Sequence, residues 1–119
     1  MRAALAMIVA ALPTVAAAAP PPPGSDDWNI MAPEHGWIER AQTPNGLTCC
    51  SDADGRPVEA RIGAEHWEAH VTPAHFPGEA DRWVQVPENA VIRKPNPLGI
   101  PILWLYAGVV RCFAPPVQN

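Results

Sequence analysis

Sixteen prolines and eight glycines interrupt this chain of 119 residues. Proline removes a backbone donor and glycine costs conformational entropy in a helix, so after residue 42 no uninterrupted window is long enough for a well-formed helix. Short strands tolerate such interruptions, because the turns between strands favour the same two residue types. The spacing of prolines and glycines therefore predicts a mainly β protein.

Alternation of apolar and polar residues gives the clearest strand prediction. Residues 58–62 and 66–72 each place apolar side chains on every second position, and Gly63 starts a short connection between them. Such a pair predicts a hairpin with one apolar and one polar face.

Four more strands are predicted at 83–86, 90–93, 102–106 and 109–113, and Ala107 and Gly108 form a two-residue connection between the last two. Trp37, Ile38 and Ala41 lie at helical spacing and predict a short helix over 33–41. Together these elements predict a small antiparallel sandwich or half-open barrel of five to six short strands, with a short N-terminal helix and one disulfide.

The N-terminus has the pattern of an export signal. Arg2 provides a positive charge, residues 3–12 are apolar, and Ala16 and Ala18 satisfy the small-x-small rule for cleavage after Ala18. An uncleaved membrane anchor is the alternative, but about ten apolar residues before Pro13 fall short of the roughly 20 that span a bilayer. We therefore expect a signal peptide at 1–18, a Pro-rich lead-in at 19–24, and a single small β domain at 25–119 in the periplasm or outside the cell.

Three cysteines, Cys49, Cys50 and Cys112, remain in a chain predicted to reach an oxidising compartment. Neighbouring residues of an extended segment point to opposite sides, so one of Cys49 and Cys50 is expected to pair with Cys112. Closing about 60 residues would stabilise the fold by roughly 4 kcal/mol. The remaining thiol is a buried or incidental free cysteine, an intermolecular disulfide or a reactive thiol, and a strained ring between Cys49 and Cys50 is a further alternative.

Charge excludes one class of partner. The chain has 12 acidic residues against eight Lys and Arg, for a net charge of -4, and it lacks the basic footprint of a nucleic-acid-binding protein. The partner is expected to be a periplasmic protein or a small ligand, and no membrane span is expected after signal cleavage.

Histidines of the predicted hairpin suggest a metal site. His66, Glu68 and His70 would project from one face of a strand, and His75 could add a fourth ligand for Zn²⁺ or Cu²⁺. The favoured interpretation is a solvated polar face, which the alternation predicts without any metal, and the protein is then expected to have no cofactor.

The mature chain contains few residues suited to catalysis. Ser25 and Ser51 lack nucleophile-elbow glycines, and the odd thiol lacks the C-x-x-C spacing of a redox site. Tryptophans in predicted strands are expected to fill the core, whereas Trp28 and Trp37 precede the first strand and are candidates for an exposed binding surface.

A set of short motifs is distributed over residues 36–116. Its positions are Gly36, Trp37, Pro44, Gly46, Cys49, Cys50, Asp54, 56–58, Trp67, 83–84, 86–87, 91–92, 111–113 and 115–116. This pattern resembles a group of small secreted proteobacterial proteins of unknown function. The resemblance implies secretion and a disulfide-stapled fold, and it implies no activity, cofactor or catalytic residue. The chain departs from the group's pattern at Gly55, where the group tends to have cysteine, and in the strand with Leu103 and Trp104, where a second cysteine is missing.

These features predict an exported, non-enzymatic binding or structural module of the periplasm. Two alternatives remain: a periplasmic zinc- or copper-binding protein that uses the histidine face, and a thiol-active protein that uses the unpaired cysteine.

Overall fold

The structure is a computed structural model that describes residues 21–49 and 55–116. The predicted signal peptide (1–18), the start of the lead-in and Cys50 lie outside these residues. Pro21 is buried, whereas Pro22, Pro23 and Gly24 are exposed. Within the described part of the chain, no helix combines the length and the apolar character needed to cross a membrane.

The described chain begins with a helical segment. Helix α1 spans Asp26–Met31, a 3₁₀ turn spans Ala32–Glu34, and helix α2 spans His35–Arg40. The Ser25 hydroxyl caps α1 by accepting a hydrogen bond from the Trp28 backbone N–H at 3.3 Å. The predicted short helix is confirmed, and α1 extends it toward the N-terminus.

Six strands in the described residues form two antiparallel sheets of three strands each. The sheets are ordered β1-β5-β6 and β2-β3-β4. Their bounds are Gly55–Pro57 for β1, Ala60–Ile62 for β2, Trp67–Val71 for β3, Arg82–Gln85 for β4, Ile102–Tyr106 for β5 and Val109–Ala114 for β6. The mainly β antiparallel sandwich and both predicted hairpins are thereby confirmed.

Strand β5 is buried on both faces and forms the centre of the molecule. Ile102 and Trp104 pack into the core cluster shared with the helices, and Leu103 and Leu105 pack into the cluster shared with the second sheet. The first cluster also contains Met31, Ile38, Ala41, Cys49, Ile92, Cys112 and Ala114. The second also contains Val58, Ala69, Val71, Phe76, Val86, Ala90 and Phe113. The architecture is thus a helical layer, then β1-β5-β6, then β2-β3-β4.

One predicted strand is wrong and one strand was not predicted. Residues 90–93 do not form a strand: Glu88–Ala90 is a 3₁₀ turn, and Val91 makes only an isolated parallel bridge to Phe113. The alternation gave a wrong strand prediction here because Ala90 and Ile92 pack into different core clusters and do not share one sheet face. Strand β1 was missed because it contains Gly55 and Pro57, which disfavour strands by propensity.

Candidate functional site

The predicted metal ligands do not converge on one point. Glu68 and His70 do share the outer, solvent-facing side of the β2-β3-β4 sheet, because the alternate residues Ala69 and Val71 are buried. Glu68 pairs with Arg61 at 3.3 Å. His75 lies elsewhere, with its Nδ1 2.9 Å from a carboxylate oxygen of Asp27 in α1.

His70 is bracketed by two carboxylates. Its Nε2 lies 2.7 Å from Asp81 Oδ1, and its Nδ1 lies 3.5 Å from Glu59 Oε2. The hydrogen bond to Asp81 raises the pKa of His70 above 6.5, and the charges of both carboxylates add to this effect while burial opposes it. Both ring nitrogens of His70 thus face a carboxylate oxygen in this arrangement.

Trp83 covers part of the same outer face. Its ring stacks on the His70 ring with centroids 4.8 Å apart and an interplanar angle of 8°. The Arg61 guanidinium carbon lies 3.9 Å from the centre of the Trp83 ring. The expectation that all three strand tryptophans fill the core is therefore wrong for Trp83, although Trp104 is fully buried and Trp67 packs against the second cluster.

His66 and Glu68 are brought to one shallow cavity of about 210 Å³ beside the β2–β3 connection, which Glu65 also lines. His66 Nδ1 lies 3.9 Å from Glu88 Oε1. In the described residues, no group of three or more His, Cys, Asp and Glu side chains has the arrangement to hold a metal ion.

Neither early tryptophan forms an open aromatic patch. Trp37 is half-buried and packs against the first core cluster. Trp28 is also half-buried, and its ring lies 5.1 Å from that of His35. These contacts leave a smaller indole surface for a partner than the sequence suggested.

A groove beside β6 has both apolar and polar walls. It encloses about 400 Å³. Its lining residues are Thr43, Asn45, Leu47, Asn89, Ala90, Tyr106, Val109, Val110 and Arg111. We call this site the β6 groove.

Exposed apolar side chains concentrate at the β6 groove. In the described residues, five large apolar side chains are exposed, and three of them, Leu47, Tyr106 and Val109, line the groove. Val109 is 67% exposed although it belongs to a strand. Exposed apolar surface gathered in one concavity is typical of an interaction site.

One wall of the groove is a small hairpin over residues 41–49. The Thr43 N–H donates to the Leu47 carbonyl at 2.9 Å, and the Cys49 N–H donates to the Ala41 carbonyl at 2.9 Å. The Thr43 hydroxyl also bonds the Asn45 side chain. These internal bonds hold Asn45 and Leu47 in place on the groove wall.

A second wall of the groove is β6, which carries a β-bulge. Trp104 pairs with Cys112 and Leu105 pairs with Val110, so Arg111 is the extra residue. Val110 both lines the groove and packs against the second cluster, and the extra residue Arg111 lines the groove beside it.

The disulfide joins these two walls. Cys49 at the end of the hairpin is bonded to Cys112 of β6, and both cysteines are fully buried. The structure thus selects Cys49 over Cys50 as the partner of Cys112, a choice that the sequence left open.

Comparison with protein-family models, with curated proteins and with solved structures finds no match to this chain.

Proposed function

We propose that this protein is an exported, non-enzymatic binding module that holds an extended peptide segment of a periplasmic or secreted partner in the β6 groove. The observation that carries the proposal is the gathering of Leu47, Tyr106 and Val109, exposed at 48%, 44% and 67%, around one concavity. An apolar lining suits side chains of a ligand, and nearby polar groups orient it.

The edge of β6 favours a peptide over other occupants. β6 is the outer strand of its sheet, and at Phe113 this edge already accepts an extended segment: Val91 forms a parallel bridge there and the Ile92 N–H donates to the Phe113 carbonyl at 2.8 Å. The groove continues along the same edge past Val109 and Val110, for which the described residues provide no bridge on that side. Strand addition to a sheet edge is a common mode of peptide recognition.

The side chains that line the β6 groove are of types suited to binding a peptide. The side chains of Asn45 and Asn89 carry amides of the same kind as a peptide backbone, and no carboxylate, imidazole or thiol belongs to the described lining. The amides, hydroxyl groups and apolar side chains of this lining are suited to holding a ligand through hydrogen bonds and apolar contacts.

Export is the second part of the proposal. It is supported by the signal pattern of residues 1–18 and by the Cys49–Cys112 disulfide, a bond that persists in oxidising compartments.

The test is selection from a phage-displayed library of random peptides on the oxidised protein, followed by affinity measurement with a selected fluorescent peptide. Val109→Lys places a charge in the groove and should weaken binding at least tenfold. Ile62→Lys is the matched control, because Ile62 is 75% exposed on β2 and lies outside the groove. Failure to select any peptide, or equal affinity of wild type and Val109→Lys, would refute the proposal.

A further inference from the structure

The only covalent link described between the two groove walls is the Cys49–Cys112 disulfide. Cys49 lies two residues after Leu47 on the hairpin wall, and Cys112 lies two residues after Val110 on the β6 wall. The backbone hydrogen bonds from Cys49 N–H to Ala41 and from Gly46 N–H to Thr43 run within the hairpin, and Ala41 and Cys49 pack into the first core cluster together with Cys112.

We propose that the disulfide makes peptide binding by the β6 groove conditional on oxidation. This inference rests on the function proposed above. In the oxidised protein the bond fixes the distance between Leu47 and Val110 on the two walls; in the reduced protein the hairpin moves away from β6 and the groove loses one side.

The second sheet is held together by pairing among its own strands. Its strands pair directly, with Ala69 opposite both Ala60 and Val84. Its buried residues belong to the second cluster, whereas both cysteines belong to the first. Reduction is therefore expected to open the groove while β2-β3-β4 keeps its structure.

The chemical step is reduction by a dithiol. The S–S bond between Cys49 and Cys112 breaks, each sulfur gains one electron and one proton, and the dithiol is oxidised to its own cyclic disulfide. Both sulfurs are buried, so the dithiol reacts only after the hairpin opens locally.

The experiment compares oxidised protein, protein reduced with dithiothreitol, and the Cys49→Ser/Cys112→Ser variant, all in a Cys50→Ser background that prevents thiol exchange. Two quantities are measured: affinity for a selected peptide, and hydrogen exchange of individual amides. We expect at least tenfold weaker peptide binding after reduction, lost protection at Gly46 and Leu47, and retained protection at Ala69 and Val84.

Two results would overturn the inference. Equal peptide affinity of oxidised and reduced protein would show that the groove does not need the bond. Simultaneous loss of protection at Leu47 and Ala69 would show that reduction unfolds the whole domain and does not open the groove alone. Absence of peptide binding by the oxidised protein would instead refute the proposed function, and hydrogen exchange would still report whether reduction frees the hairpin.

Discussion

Gly55 lies where the core leaves no space for a side chain. It pairs with Trp104 across β1 and β5, and a Cβ at position 55 would lie 2.9 Å from Trp104 Cε2 and 2.9 Å from Ile102 Cγ2. Both neighbours are fully buried and have no room to move. The strand with Leu103 and Trp104 is β5, so the two positions where the chain departs from the pattern it resembles lie on paired strands.

Gly55→Ala should lower the free energy of unfolding by about 1–3 kcal/mol, because the added methyl overpacks the core. Urea unfolding measures this. Gly36→Ala is the control: it lies in α2, where a Cβ would meet only the flexible end of Arg40 at 3.2 Å. There the same substitution should stabilise by about 0.5–1 kcal/mol. A neutral effect of Gly55→Ala would contradict the packing described for Trp104.

His70 gives a prediction about pH. Its pKa is raised in the folded protein, mainly by the hydrogen bond to Asp81, so its contribution to stability is fully present below pH 6.5 and is lost as the pH rises through the folded pKa. Asp81→Asn should lower the pKa of His70 in an NMR titration. Glu68→Gln, on the same face but paired with Arg61, should leave that pKa unchanged. An unaltered His70 titration in Asp81→Asn would contradict the assigned cause.

Elements whose pattern is local were predictable from sequence. The alternation within residues 58–62 and 66–72 and the Ala107–Gly108 connection identified two hairpins, because side-chain direction and turn chemistry are set by neighbouring residues. Strand β1 was not predictable, since Gly55 and Pro57 are held by pairing with β5, almost 50 residues later. The Ser25 cap and the acidic first turn of α1 are features of the sequence from which the longer helical segment could have been predicted.

The β5–β6 hairpin offers a test at this scale. Ala107 and Gly108 both have positive φ, 49° and 77°, as a type I′ turn requires. Ala107→Asn should stabilise the protein by about 0.5–1 kcal/mol, because asparagine tolerates this conformation better than alanine. Ala107→Val should destabilise it, since β-branched residues tolerate it least. Thermal unfolding of both variants measures the difference, and the reverse order would exclude the turn as described.

At the scale of the whole molecule, the candidate site combines distant segments. The β6 groove joins the 41–49 hairpin, the 88–90 turn and β6, so no sequence pattern could bring its residues together. The sequence predicted that Glu68 and His70 share a face, but not that Glu59 and Asp81 would flank His70. It predicted a disulfide to Cys112, and the fold selects Cys49.

The disulfide should also contribute to global stability. It links residues 63 positions apart, which corresponds to about 4 kcal/mol in the chain-entropy model. Replacing Cys49 and Cys112 by alanine should lower the free energy of unfolding by about that amount. Cys50→Ala is the control and should have a small effect. A loss below about 1 kcal/mol for the double variant would contradict the stabilising role.

The most direct test of peptide binding is amide chemical-shift mapping of the oxidised protein during titration with a selected peptide. The proposed function predicts that the largest shifts fall on Val109, Val110 and residues 43–47. Shifts concentrated on the outer face around Glu68 and His70, or no shifts at saturating peptide, would contradict it.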